Sequence, residues 1–170
     1  MPKPTILLKA ALVATCLVAP AHRAAAQIIP RPHVSLMGGV SQWDLSGTGT
    51  APFGAVRVDV PLPFLVAEGS LGIFRPKEDF GTSTYIIPEV QLQYQFVPFL
   101  VKPYVGLGGG WFTAVSGPGE HRSEITGSAS AGVRVNVPVI GAGLRGELRV
   151  RGIGSGFGGS AAEWTIGLSW

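Results

Sequence analysis

The residues best able to do chemistry are charged side chains that alternate with apolar ones along strand-length segments. Residues 144–151 are the clearest case, because a charged residue occupies every second position there. Alternate side chains of a β-strand share a face, so each such segment has one charged and one apolar face. The charged faces hold Arg57, Asp59, Glu68, Glu89, Lys102, Arg134, Arg145, Glu147, Arg149 and Arg151.

These charges predict an enclosed ion-pair network, because charged groups taken out of water must be paired and hydrogen-bonded. Both signs occur on the polar faces, and we expect the run 145–151 to reach across to Glu68, Glu89 and Asp59. A selectivity lining for an ion pore is the functional alternative.

Histidine-based chemistry has few candidates in the sequence. Beyond residue 26 only His33 and His121 remain, and His121 lies near Ser123 and Glu124. A lipid-modifying enzyme would need a nucleophile and an oriented base, and sequence proximity alone does not make that geometry. His121 with Glu120 or Glu124 also lacks the further ligands of a metal site. We therefore expect no catalytic residue, no metal and no cofactor.

Residues 1–26 have the pattern of a cleaved secretory signal. Two lysines precede an apolar stretch at residues 10–19, which is too short to cross a bilayer, and alanines at 24–26 suit signal peptidase. We place the start of the mature chain near Gln27. The single cysteine, Cys16, lies inside the signal, so disulfides and thiolate sites are excluded from residues 27–170.

Composition points to a β-rich chain with tight turns. Charged residues make up 14% of the sequence, whereas soluble proteins have about 25%, and Gly and Pro number 25 and 14. Three of the 13 basic residues and none of the 10 acidic ones lie in the signal. The remaining chain is formally neutral, so the basic pI does not support a nucleic-acid partner.

The elements that would position the charges are about eight strands. Each segment ends in Gly, Pro, Ser or Asp residues, and the predicted strands are 34–43, 53–60, 65–74, 89–96, 102–112, 128–137, 144–151 and 163–170. An even number of strands can close an antiparallel up-and-down barrel. A barrel of this size is filled by its own side chains, so we favour a polar plug over a pore.

The connections alternate between two kinds, which predicts an orientation. Polar or Gly-rich loops at 44–50, 75–82, 114–123 and 153–161 alternate with short proline-containing turns at 61–63, 97–99 and 138–141. Long outer loops and short periplasmic turns are typical of membrane barrels, and they place both chain ends on the periplasmic side. Pro88 cannot donate to a ladder, so we expect a bulge there or a hairpin above the membrane.

Aromatic residues favour a transmembrane barrel over a soluble one. We expect two girdles at the membrane interfaces. The outer girdle would hold Trp43, Phe53, Phe74, Tyr85, Trp111, Phe112 and Trp164, and the inner one Phe64, Tyr94, Phe96, Phe99 and Trp170. The alternative, a soluble periplasmic lipocalin-like carrier of a small apolar ligand, predicts apolar residues inside and charged residues outside.

Two segments resemble the small outer-membrane β-barrel superfamily, the OmpA-like and opacity-protein group. Residues 102–110, KPYVGLGGG, are similar to a strand common in that group. The last segment is similar to its C-terminal targeting strand, which the barrel-assembly machinery recognises, through Trp164, Ile166, Leu168 and Trp170. Trp170 stands where Phe is more usual. The resemblance implies insertion in the bacterial outer membrane and no single activity.

Together these features predict a non-enzymatic integral outer-membrane β-barrel with a filled polar interior. Its surface loops would serve envelope stability, adhesion or surface recognition. The expected partners are outer-membrane lipid, lipopolysaccharide and, during biogenesis, the assembly machinery. We expect a monomer.

Overall fold

The computed structural model describes residues 32–43, 49–78, 81–96, 100–117, 123–137, 142–156 and 158–170. The predicted signal peptide at residues 1–26 lies outside these ranges and stays a prediction. No helix in the described ranges is long and apolar enough to cross a membrane.

Eight strands form one closed antiparallel barrel, as predicted. Each pairs with its neighbours in chain order, and the last strand closes on the first. A two-stranded ribbon, β4 and β5, stands apart between β3 and β6. The strands are β1 (His33–Trp43), β2 (Gly49–Pro61), β3 (Val66–Phe74), β4 (Lys77–Glu78), β5 (Gly81–Thr82), β6 (Thr84–Gln95), β7 (Val101–Ser116), β8 (Ser123–Val137), β9 (Ala142–Ile153) and β10 (Gly159–Ser169).

One end of the barrel, here called the terminal end, holds the start of β1 and the end of β10. Reciprocal backbone hydrogen bonds of 2.9 Å between Val34 and Trp170 close the barrel there. The opposite end is the loop end, where β1 leads to β2, β3 to β6, β7 to β8 and β9 to β10. The first and last described residues therefore lie on the same side of the barrel.

The strands extend further towards the loop end than the sequence indicated. β6 begins at Thr84 instead of Glu89. β7 continues to Ser116 and β8 begins at Ser123, so both strands enter the predicted loop 114–123. Small polar residues continue the ladder there, with backbone pairing of β7 and β8 reaching Thr113 and Ser123. The hydroxyls of Thr113 and Ser123 are 2.9 Å apart. Polarity alone was therefore a poor guide to the strand ends.

Pro88 lies within β6 in register with β3, so the predicted bulge is wrong, whereas the alternative, a hairpin above the membrane, stays a prediction. It stands opposite Leu71 in an unbroken register with β3. Pairing with β7 is interrupted at Ile87 and Pro88 and resumes in the same register. The irregularity lies instead between Thr84 and Tyr85. A proline in a strand costs one donor and need not add a residue, which explains the difference.

The two faces of the barrel wall are opposite in polarity. The outer face carries exposed apolar side chains such as Leu107, Ile166 and Val90, which are 71%, 68% and 65% exposed. The inner face buries Arg145 and Arg149, which are 0% and 1% exposed. This is the reverse of what the lipocalin-like alternative predicts.

Towards the loop end, the interior changes from charged to apolar. This apolar zone consists of Met37, Ala51, Phe53, Ala55, Phe74, Ile87, Phe112, Ile153 and Ala161, with Tyr85 packed against it. The assignment of Phe53, Phe74, Phe112 and Tyr85 to an outer girdle was therefore wrong. The strand alternation places these four residues on the same face as the buried charges, and that face decides their position.

The remaining aromatic residues have the exposed positions that interface girdles require. Trp111 and Trp164 lie on the outer face, and the side chain of Trp43 is outside the described part. Near the terminal end the exposed aromatics are Phe64, Tyr94, Phe96 and Trp170. Phe99 lies outside the described residues.

Candidate functional site

The candidate site is the network of charged side chains enclosed by the barrel. Each projects inward because it occupies an alternate position of a strand whose other face is apolar. Five arginines and five carboxylates of the described residues are buried there: Arg57, Asp59, Glu68, Glu89, Arg134, Arg145, Glu147, Arg149, Arg151 and Glu163. Their formal charges cancel, so the interior is neutral as a unit.

Glu147 on β9 is the most heavily shared carboxylate. Its Oε1 lies 2.6 Å from Arg57 Nη1 and accepts a 2.8 Å hydrogen bond from Arg149 Nε. Its Oε2 accepts hydrogen bonds from Arg145 Nη2 at 2.7 Å and from the Tyr104 hydroxyl at 2.5 Å. Three guanidinium groups thus converge on one carboxylate.

Tyr104 on β7 contacts several charged residues of the same network. Its hydroxyl donates a hydrogen bond to Glu147, and the hydroxyl oxygen accepts a 2.8 Å hydrogen bond from Arg145 Nε. Its ring faces two guanidinium carbons, of Arg134 at 4.9 Å and of Arg145 at 5.1 Å from the ring centre. Cation–π contact adds to the hydrogen bonds in such a desolvated site.

Glu68 and Asp59 extend the network towards the terminal end. Glu68 forms an ion pair with Arg145, and its Oε1 accepts a 2.6 Å hydrogen bond from Arg149 Nη2. Asp59 Oδ2 lies 3.1 Å from Arg134 and 3.4 Å from Arg145. β9 is therefore linked across the interior to β2 and β3.

Glu89 and Glu163 extend the network towards the loop end. Glu89 pairs with Arg151 and lies 2.7 Å from Arg149 Nη1. Arg151 also donates twice to Glu163, through Nε at 2.6 Å and Nη2 at 3.1 Å. Such a two-bond pair fixes both position and orientation of the arginine.

Of the ten residues predicted for this network, Lys102 is the one that stands apart. It is half-buried and forms no ion pair within the described part of the chain. The other nine residues share contacts inside the barrel.

Several interior polar residues were not predicted as members, although the strand alternation places them on the charged face. Gln93 donates to Glu68 at 2.8 Å and accepts from Arg134 at 2.5 Å, and Ser128 donates to Glu89 at 2.6 Å. The omitted members are Gln91, Gln93, Tyr104, Ser128, Ser130 and Glu163. The sequence signal that could have identified each of them was its position on the charged face of its strand.

The arrangement is suited to filling space and holding strands together. The described residues contain no group of three His, Cys, Asp or Glu side chains placed to hold a metal ion. His33 is exposed at the terminal end, and His121, the other candidate base, lies outside the described residues. Each buried carboxylate faces a guanidinium group.

Several solved structures share this barrel architecture. Neisserial surface protein A matches with a TM-score of 0.64 at 13% identity over 81% of this chain and 94% of its own. The outer-membrane enzyme PagL gives 0.57 at 12% identity, over 81% and 97%. The N-terminal barrel domain of Pseudomonas aeruginosa OprF gives 0.55 at 13% identity, over 81% and 97%.

The chain has the fold of the small outer-membrane β-barrels. The resemblance noted in the sequence is thus confirmed as a shared fold. At these low identities the likeness establishes the fold of the barrel and no activity. No protein-family model matches the sequence, and no curated protein matches it.

Proposed function

We propose that the chain is an integral protein of the bacterial outer membrane that acts through its surface and catalyses no reaction. Envelope stability, adhesion and surface recognition are the roles that suit a closed barrel with exposed ends. The observation that carries this proposal is the reversed polarity of the wall, with charges enclosed and apolar side chains outside. Only a nonpolar surrounding makes such an outer face favourable.

The distribution of exposed aromatic residues supports a membrane position. Trp111 and Trp164 lie on the outer face, and Phe64 and Trp170 lie near the terminal end. Amphipathic rings favour the headgroup level of a bilayer. We place the terminal end in the periplasm and the loop end outside the cell, in line with the usual orientation of such barrels.

The proposed partners follow from the same surfaces. Lipid and lipopolysaccharide would contact the apolar outer face. The assembly machinery would recognise β10, whose Trp164, Ile166 and Leu168 all point outward and are about half or more exposed. A closed barrel has no free strand edge, so we propose that it is a monomer.

The second candidate is the lipid-modifying enzyme considered in the sequence analysis, and it is kept because one structural neighbour, PagL, is an outer-membrane enzyme. This candidate is tested by comparing lipid A from cells that express the wild-type chain with lipid A from cells that express a His121→Ala variant. A modification that depends on His121 would replace the non-enzymatic proposal.

Fractionation and a heat-modifiability gel test the main proposal. We expect the expressed protein in the outer membrane, and a change of mobility between unheated and boiled samples, because a closed barrel resists detergent until heated. A soluble periplasmic protein with no mobility change would overturn the membrane proposal and favour a soluble carrier.

A further inference from the structure

At the terminal end, the inner face of three adjacent strands carries polar side chains that the ion-pair network does not use. They are Gln95 on β6, Lys102 on β7 and Asn136 on β8, which alternate in step with the buried polar residues of the same strands. Gln95 and Lys102 are half-buried, and Asn136 is exposed. Within the described part of the chain, none of the three side chains has a hydrogen-bond or ion-pair partner. We call these three residues the terminal rim.

The charge of Lys102 is not balanced by the network beside it. Lys102 stands directly opposite Arg134 in the register of β7 and β8, and like charges at such opposed positions repel. Arg134 is compensated by Asp59 at 3.1 Å, but that carboxylate is also shared with Arg145 at 3.4 Å. The five buried arginines and five buried carboxylates cancel among themselves, so they leave no carboxylate in excess for Lys102.

The turns at the terminal end supply no counterion for Lys102 either. The connecting sequences 61–65, 96–101 and 137–142 contain no Asp or Glu. Because Lys102 is only half-buried, its ammonium group remains accessible from that end of the barrel. A cation with no partner from its own chain is suited to bind an anion from outside the barrel.

A glycine on β9 keeps the rim open beside Asn136. Gly143 stands opposite Asn136 on one side and Ser169 on the other. A side-chain carbon there would lie 2.7 Å from Ser169 Oγ and 3.6 Å from Asn136 Oδ1. Without that carbon, a neutral amide and a hydroxyl stay accessible as additional hydrogen-bond donors at the same end as Lys102.

An unpaired ammonium group with amide donors on the neighbouring strands is suited to a phosphate group. Lysine binds phosphate as a point charge, and side-chain amides can turn their NH2 groups towards its oxygens. We propose that the terminal rim binds the phosphate group of a small soluble compound or of an anionic phospholipid headgroup, with Lys102 as its counterion. This site goes beyond the membrane role proposed above, and only its exposure to the periplasm rests on that role.

Lysine methyl groups labelled with carbon-13 report binding at the rim, because methylation of a lysine keeps its charge. Residues 27–170 contain two lysines, Lys102 and Lys77, and Lys77 lies in the ribbon β4–β5, on the connection from β3 to β6 at the loop end. The NMR signal that disappears in Lys102→Gln is that of Lys102. In phosphatidylcholine nanodiscs we expect glycerol 3-phosphate to shift this signal and to leave that of Lys77 in place, whereas glycerol shifts neither. Equal shifts of both lysines would overturn the proposal.

Three unmethylated variants, titrated with glycerol 3-phosphate and followed by phosphorus NMR, test the role of the Lys102 charge. Lys102→Gln should weaken binding about tenfold, because the phosphate loses its counterion. Lys102→Arg keeps the charge and should retain binding, and Lys77→Gln is the control that should bind like the wild type. Since Lys102 has no partner in the described part of the chain, Lys102→Gln should still give the heat-modifiable mobility shift of a closed barrel. A folded Lys102→Gln protein that binds like the wild type contradicts the proposed site.

Nanodiscs of two lipids distinguish the two sources of the phosphate. If a lipid headgroup occupies the rim, the Lys102 signal in phosphatidylglycerol differs from that in phosphatidylcholine before any probe is added. If the ligand is soluble, the signal is the same in both lipids and moves only when glycerol 3-phosphate is added. A Lys102 signal that responds to neither lipid nor probe overturns the proposal. A wild-type protein without the heat-modifiable shift contradicts the membrane proposal instead, so the two failures are distinguishable.

Discussion

Glu147 shows how a buried charge can be tolerated in this interior. Removing an ion from water costs several kcal/mol even after relaxation, and the cost is offset only by well-placed partners. Glu147 has three guanidinium neighbours and one hydroxyl donor within 2.8 Å. Arg145 and Arg149 also pair with Glu68, whereas the ion pair of Arg57 among the described residues is with Glu147, so Arg57 depends most on that charge.

Neutralising Glu147 should therefore destabilise the barrel strongly. We expect Glu147→Gln to lower the free energy of unfolding by about 3–5 kcal/mol, because it leaves arginine charge uncompensated. Urea unfolding in lipid vesicles, followed by tryptophan fluorescence, measures this. Arg75→Gln, at an exposed position, should change stability by no more than about 0.5 kcal/mol. Equal effects of the two substitutions would show that the network contributes nothing to stability.

The Tyr104 hydroxyl should contribute a smaller, separable amount. Tyr104→Phe keeps the ring over Arg134 and Arg145 but removes the group that bridges Glu147 and Arg145. We expect a loss of about 1–3 kcal/mol in the same unfolding measurement, because buried polar partners lose a bond. Tyr94→Phe is the matched control, since Tyr94 is 50% exposed on the outer face. A Tyr104→Phe protein as stable as that control would contradict the bridging role.

At the scale of the strand, β1 contains two adjacent glycines with opposite surroundings. A side-chain carbon at Gly39 would collide with the carbonyl of Trp164 on β10, whereas one at Gly38 would meet nothing within 4 Å. β1 and β10 form the seam that closes the barrel. The glycine at 39 therefore permits the close approach of the first and last strands.

This difference predicts unequal effects of one substitution at neighbouring positions. Gly39→Ala should reduce the fraction of protein that refolds into the heat-modifiable form, because β1 and β10 can no longer approach. Gly38→Ala should refold like the wild type. The gel band of the unheated sample gives the folded fraction. Equal yields from the two variants would mean that the seam adjusts to the added carbon.

The strands also show what the sequence could and could not predict. The alternation correctly indicated which face of nearly every strand points inward, because the outer face of the barrel wall is apolar and the inner face is polar. The prediction failed where the position of a residue along its strand was given more weight than the face on which the residue lies. Phe53 lies on the same face as Arg57, and Phe74 on the same face as Glu68, yet both were assigned to a girdle. Following the face strictly would also have included Glu163 in the network.

The specific ion pairs were beyond prediction because they depend on the whole barrel. Which strand positions meet across the interior is set by the stagger of all eight strands, and a shift of one register changes every partner. The sequence therefore indicated that β9 would pair with acidic residues, while the sharing of Glu68 by Arg145 and Arg149 needed the closed structure.

For the molecule as a whole, the interior has two barriers in series. The apolar zone blocks the loop end with aromatic rings in contact, and the ion-pair network fills the part beneath it. An ion would have to pass an apolar constriction and then separate paired charges. We expect either barrier alone to prevent conduction.

We therefore expect no single-channel conductance from the wild-type barrel in planar bilayers. The double variant Phe74→Ala and Phe112→Ala removes two rings of the apolar zone and should also remain closed, because the charges below stay paired. A channel-forming outer-membrane barrel, reconstituted in the same way, is the positive control. Stepwise currents from the wild-type chain would show that the interior opens, and the polar face would then be a pore lining. Currents only from the double variant would locate the barrier in the aromatic rings alone.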